Sequence, residues 1–108
     1  MRLRFDDEPI AVLLVSAPDA SLSVARRILG RVLDLPDGDR ILLIDTMRIW
    51  LAEAGSTSTA ASRLHVHRNT VRYRLRRIEE LTGRSLTKPR DLADLHVALE
   101  CARMLDLG

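Results

Sequence analysis

The stretch "HVHRNTVRYRLRRIEEL", His65 to Leu81, decides the fold. Apolar residues recur in it at Val71, Leu75, Ile78 and Leu81, the spacing of one face of an α-helix. Five arginines fall between Arg68 and Arg77, and no acidic residue interrupts them before Glu79. A solvated surface helix normally mixes its charges. A helix with an apolar inner face and an unmixed arginine outer face therefore points to an anionic partner.

Just upstream, "STSTAASRL" reads as a short helix with Ser56 and Thr57 as N-cap residues. Two helices joined by the short turn "LHVH" form a helix-turn-helix if they cross closely. Ala61 supplies the small residue that a close crossing needs. Leu64 and Val66 bracket the turn, Val71 anchors the second helix, and Leu75 and Ile78 continue its inner face. The turn has no glycine, so His65 must take up a strained backbone, uncommon but accessible to histidine. The supporting helix is expected over Ser56 to Leu64. The recognition helix is expected over about 68–82, with Gly83 as its terminator.

Once that inner face is fixed, Asn69, Arg72, Tyr73 and Arg76 point outward. Arg68 and Thr70 lie in the first turn, near the positive end of the helix dipole. The chemistry suits duplex DNA: arginine grips guanine O6 and N7, asparagine pairs with adenine N6 and N7, and the threonine methyl meets a thymine methyl. Recognition helices read bases mainly from their N-terminal residues. The expected base-reading residues are therefore Arg68, Asn69, Thr70, Arg72 and Tyr73. Arg63, His67, Arg76, Arg77 and Arg84 are expected on phosphates, with free N–H groups at helix starts assisting. His67 has a second possible role as cap of the recognition helix.

The rest of the chain also reads as helix. "PIAVLLVSAPD" is taken as a short helix stopped by Pro18, since a single strand would have no partner. "ASLSVARRILGRVL" places Ala25, Ile28, Leu29 and Val32 at helical spacing, with Ser21 as its expected N-cap. "DLPDGD" is a turn. "RILLIDTMRIWLAEAG" sets Leu43, Met47, Trp50, Leu51 and Ala54 on one face, and Gly55 stands where a left-handed C-terminal residue is wanted. Pro89 opens a last helix to about Leu105. That helix is apolar at Leu92, Leu95, Leu99 and Ala102 but also at Val97, Cys101 and Met104. It must be covered on two sides, by this domain or by a second subunit. The fold class is all-α: residues 1–38 form a helical lead-in and 39–108 the helix-turn-helix domain.

Composition agrees. Hydrophobic residues make up 46% of the 108 residues, but the only aromatics are Phe5, Trp50 and Tyr73. Aliphatic side chains must fill the core, as packed helices allow. The net charge of +2 conceals a basic block: 1–62 carries −2, 63–90 carries +7 and 91–108 carries −3. A lone cysteine, Cys101, forms no internal disulfide. The longest apolar run is too short to span a bilayer, and the first residues hold no signal-peptide core. The expected location is the cytoplasm, on the nucleoid, with no membrane partner.

Enzymatic chemistry finds little support. His65 and His67 offer two metal ligands, but no second His/Cys cluster completes a zinc set, so no metal is expected. Cys101 sits among apolar residues, where thiols are usually inert. There is no glycine-rich phosphate loop and no nucleophile elbow. No cofactor is expected. The rival reading is a helical dimerisation or protein-interaction domain whose arginine face binds another anion. Sequence-specific RNA readers present stacking aromatics, and Tyr73 is the only one in the basic block, which favours duplex DNA.

The segment "LLIDTMRIWLAEAGSTSTAASRLHVHRNTVRYRLRRIEELTG" closely resembles the C-terminal helix-turn-helix domain of PucR-type bacterial regulators, a group that includes purine-catabolism and sugar-diacid (CdaR-like) regulators. The following "KPRDLADLHVALECARML" fits the same pattern, and "RFDDEPIAVLLV" and "ARRILGRVL" extend it more weakly upstream. The resemblance implies an all-helical, DNA-binding domain of a transcription regulator, working as a homodimer. It also implies effector-sensing domains that are missing from this chain. The histidine in the turn agrees with this family.

Overall fold

The computed structural model describes residues 9–107. Among them the regular structure is six α-helices and no strand: α1 (Pro9–Val15), α2 (Pro18–Leu33), α3 (Asp37–Ala52), α4 (Thr57–Leu64), α5 (Arg68–Thr82) and α6 (Pro89–Met104). No single helix is long and apolar enough to cross a membrane among these residues.

The heptad-like beat of α5 does what its spacing dictates. Val71, Leu75 and Ile78 are buried in the core, and α5 packs against α2, α3 and α4. Full burial of such a side chain contributes about 1.5–3 kcal/mol, so this stripe fixes which face of α5 is left for solvent. Helix α4 packs against both α5 and α3 and buries Ala60 and Ala61, small residues that allow close approach of the backbones. Leu64 and Val66 pack partly buried against the same core, flanking the turn.

The lead-in is not peripheral. Ala25, Leu29, Val32 and Leu33 of α2 belong to one cluster with Leu43, Ile44 and Met47 of α3 and Leu95, Ala98, Leu99 and Ala102 of α6. The most extensive helix pair is α2 with α6, and α1 and α3 also touch α6. This resolves the two-sided character of α6, because the domain itself wraps the helix and leaves Cys101 fully buried.

One expected cap is corrected. Ser21 does not cap α2, which begins earlier, after Ala17, with Pro18 in its first turn. Proline lacks an N–H and has its φ preset, so it opens a helix without leaving a donor unpaired. Ser21 instead lies one turn inside, buried, and its Oγ donates to the Leu14 carbonyl at 2.8 Å, tying α2 to α1.

Three helices stop in the same way. After α3, Ala54 N–H donates to Leu51 O at 3.1 Å and Gly55 N–H to Trp50 O at 2.8 Å. After α4, His65 N–H donates to Ser62 O at 3.2 Å and Val66 N–H to Ala61 O at 3.0 Å. After α6, Asp106 and Leu107 repeat the pattern onto Arg103 and Ala102. These paired bonds satisfy end carbonyls but force a left-handed residue, here Ala54, His65 and Asp106 with φ of 53°, 57° and 56°. The left-handed residue at the end of α3 is therefore Ala54 as well as the expected Gly55, whose φ is 79°. Gly55 lies against the half-buried Trp50 ring, where an added Cβ would stand 3.3 Å from Cζ2.

Candidate nucleic-acid interface

The α4–α5 unit is assembled by local hydrogen bonds. Ser56 caps α4, its Oγ accepting from Thr59 N–H at 3.2 Å and meeting Thr59 Oγ1 at 2.9 Å. His65 closes α4 with the left-handed turn anticipated from its sequence. His67 caps α5, its Nδ1 accepting from Asn69 N–H at 3.0 Å. That bond uses the Nδ1 lone pair, so the neutral ring carries its proton on Nε2, which is left to donate outward.

On the outer side of α5 the structure brings together most of the expected base-reading residues. Arg68, Asn69, Arg72 and Tyr73 are exposed, Tyr73 by 58%, and Thr70 is half-buried. Arg72 Nη1 donates to Asn69 Oδ1 at 3.1 Å. Arg68, Arg76 and Arg77 make no hydrogen bond or ion pair among the described residues. A helix that leaves three guanidinium groups without partners presents a concentrated positive field to solvent.

Two arginines of the basic block are instead bonded within the fold. Arg74, one of the five in the basic run, turns inward, its Nη1 donating to Oγ1 of the buried Thr46 at 3.2 Å while Thr46 donates to Leu42 O at 2.7 Å. It staples α5 to α3. Arg84, expected on a phosphate, is half-buried and held from both sides, by Asp94 Oδ2 at 3.4 Å and by the Thr82 carbonyl at 3.2 Å. Nearby, Glu79 accepts from Leu86 N–H at 2.9 Å and Asp91 from Ser85 N–H at 3.0 Å, which orders the loop between α5 and α6. Arg63 reaches back to Glu53 at 2.7 Å but stays half-exposed at the end of α4. The inward turn of Arg74 had one signal in the sequence: it lies three residues after Val71 and four before Ile78, the spacing of the apolar stripe itself.

The remaining ionisable group of note is Cys101. Burial pushes its thiol above the ordinary range, partly offset by the Ser21 hydroxyl.

The matching family is the PucR C-terminal helix-turn-helix domain, aligned over residues 43–101. The chain belongs to this family. The match spans most of α3 together with α4, α5 and most of α6, so the turn at His65 and the arginine helix lie in its middle. Among relatives, the purine catabolism regulatory protein of Bacillus subtilis is 43% identical over 63 residues, covering 58% of this chain and 12% of that protein. The transcriptional activator PmfR of Paenarthrobacter nicotinovorans is 32% identical over 96 residues, 89% of this chain and 20% of the relative. The chain thus spans a small part of the length of these relatives. A solved structure, the regulator of polyketide synthase expression from Bifidobacterium adolescentis, superposes with a TM-score of 0.67 at 36% identity, over 87% of this chain and 36% of the other. That superposition reaches upstream of the family match, consistent with α2 sharing the core.

Proposed function

We propose that this PucR-family domain binds duplex DNA sequence-specifically as part of a transcription regulator, with α5 in the major groove. The observation that carries this reading is the division of α5. Val71, Leu75 and Ile78 are locked in the core, while Arg68, Asn69, Arg72, Tyr73 and Arg76 share the solvent face. Arg68, Asn69, Thr70, Arg72 and Tyr73 read bases. Arg63, His67, Arg76 and Arg77 hold phosphates, His67 through its Nε2–H. Arg84 belongs to the fold, given its bonds to Asp94 and Thr82.

The regulator acts as a homodimer, because one recognition helix binds weakly and two set about 34–36 Å apart read a palindrome. Effector-sensing domains lie in the remainder of a longer protein, and the site of action is the bacterial nucleoid. The regulators named among the relatives support a regulatory rather than an enzymatic role. A protein-contact role is favoured by one separate observation: α1 leaves Ile10, Leu13 and Val15 exposed. It complements DNA binding rather than replacing it.

The test is a titration against mixed-sequence duplex across a salt series, with Arg72→Ala alongside. The log–log slope is about −0.9 per phosphate neutralised. A steep slope, with Arg72→Ala losing about 1–3 kcal/mol on a selected site only, is the expected result. Absence of duplex binding at low salt refutes the function. Sedimentation of the DNA complex tests the dimer.

A further inference from the structure

The reading face of α5 carries a hydrogen bond that limits what it can read. Arg72 Nη1 donates to Asn69 Oδ1 at 3.1 Å, both residues being exposed and one turn apart. A guanidinium has five donors and no acceptor, so only the oxygen of the Asn69 amide can face it. This fixes the amide, with Oδ1 toward Arg72 and the Nδ2 hydrogens directed away.

We propose that Asn69 and Arg72 act as one donor-only reading unit, which selects guanine and rejects adenine at the base pair it meets. The inference rests on the DNA-binding function above and deepens it.

A free asparagine in the major groove pairs with adenine by accepting from N6 and donating to N7. In this chain one lone pair of Asn69 Oδ1 is already taken, and the Arg72 charge stands beside the other. An adenine amino group approaching Oδ1 would meet the Arg72 N–H groups, donor against donor. Guanine presents two acceptors on the same edge, O6 and N7. The remaining Arg72 N–H groups and Asn69 Nδ2 all donate to it without breaking the internal bond. Cytosine offers an amino donor and is rejected for the same reason, while thymine offers a single acceptor. Asn69 is in addition a positioning residue. It restrains a long side chain whose rotamer freedom would otherwise be lost on binding, whereas Arg68 and Arg76 on the same face have no such restraint.

The experiment starts from a site selected out of random duplex by the full chain. Affinities of wild type, Asn69→Ala, Arg72→Ala and the double variant are measured on that site. They are measured again on copies with each guanine changed in turn to adenine or to 7-deazaguanine, which lacks the N7 acceptor. Circular dichroism checks that each variant is folded. One guanine is expected whose change to adenine weakens wild type by about 5- to 150-fold, and 7-deazaguanine there also weakens it. Each single variant should lose most of that preference, and the double variant should bind within about two-fold of Arg72→Ala, as coupled residues do. The proposal is overturned if the critical base is adenine, or if the losses of the two single variants simply add. A wild type that binds no duplex at all refutes the function itself, a result distinct from either.

Discussion

His65→Gly should make the domain more stable. His65 ends α4 at φ 57°, ψ 41°, in the left-handed region. An L-residue there costs roughly 1–2 kcal/mol through its Cβ, and histidine sits toward the tolerant end. Glycine removes that cost but gives the unfolded chain more freedom, about 0.5–1 kcal/mol in the opposite direction. The side chain is exposed and makes no hydrogen bond among the described residues, so little contact is lost. The bonds from His65 and Val66 N–H to Ser62 and Ala61 are main-chain and survive. The net expectation is a gain of about 0.5–1 kcal/mol, a few degrees in Tm at roughly 4–8 °C per kcal/mol. His65→Val should move the other way, because a β-branched residue is a true outlier at positive φ. Urea unfolding measures both, with the midpoint shifting at constant m. A glycine variant no more stable than the parent at unchanged m would refute the account of the turn. A stabilised variant with weakened DNA binding would instead reveal a phosphate contact from the imidazole.

Three further outcomes follow from the packing and the one shifted thiol. Ala61→Leu inserts methylenes into the buried side of α4 and should cost about 1–3 kcal/mol or more by chemical denaturation. Gly55→Ala is strained twice, by φ of 79° and by a Cβ 3.3 Å from the Trp50 ring, and should lose at least about 1 kcal/mol. Cys101 should resist thiol reagents in the native state. Its raised folded pKa means that the unfolded chain releases a proton first, so stability should fall as pH climbs through the ordinary value of about 9. A Cys101→Ala variant should lose that alkaline decline.

Helix existence and helix starts were readable where a local rule had no competitor. The apolar stripe, the glycine after Thr82 and the proline at 89 place α5 and α6 within a residue of their expected limits. Ser21 misled because Pro18 starts the helix one turn earlier and frees the serine for an inter-helix bond, a tertiary event that spacing does not encode. The orientation of Arg74 and Arg84 was hidden for the same reason, since their partners Thr46 and Asp94 lie on other helices. Burial of Ala60 beside Ala61 is not visible in the sequence, because it depends on α4 packing against α3 as well as α5. The membership of α2 in the core depended on which side of α6 it covers, and no pattern within α2 alone reveals that.

The charge order of α5 runs against its own dipole, and this yields the most demanding test of the functional reading. Helices α2, α3 and α6 each carry an aspartate in the first turn, as the positive N-terminal pole favours. The first turn of α5 has no acidic residue and holds Arg68, and its last turn has no basic residue. Each misplaced charge costs about 0.3–1 kcal/mol at low ionic strength, so α5 is less stable than its composition allows. Such a local violation is tolerated when the same group is used for something else, and a guanidinium at the start of an exposed helix is well placed to meet an anion. Arg68→Glu should therefore stabilise the fold by about 0.3–1 kcal/mol or more in low salt, with the gain shrinking as salt screens it. The same variant should lose duplex binding far beyond the effect of removing one phosphate contact, because a carboxylate then faces the DNA. Unfolding midpoints and binding isotherms at matched ionic strength measure the two effects together. If Arg68→Glu destabilises the domain, the dipole argument fails. If it is stabilised and binds duplex as the parent does, Arg68 does not face DNA, and the start of α5 loses its place in the interface.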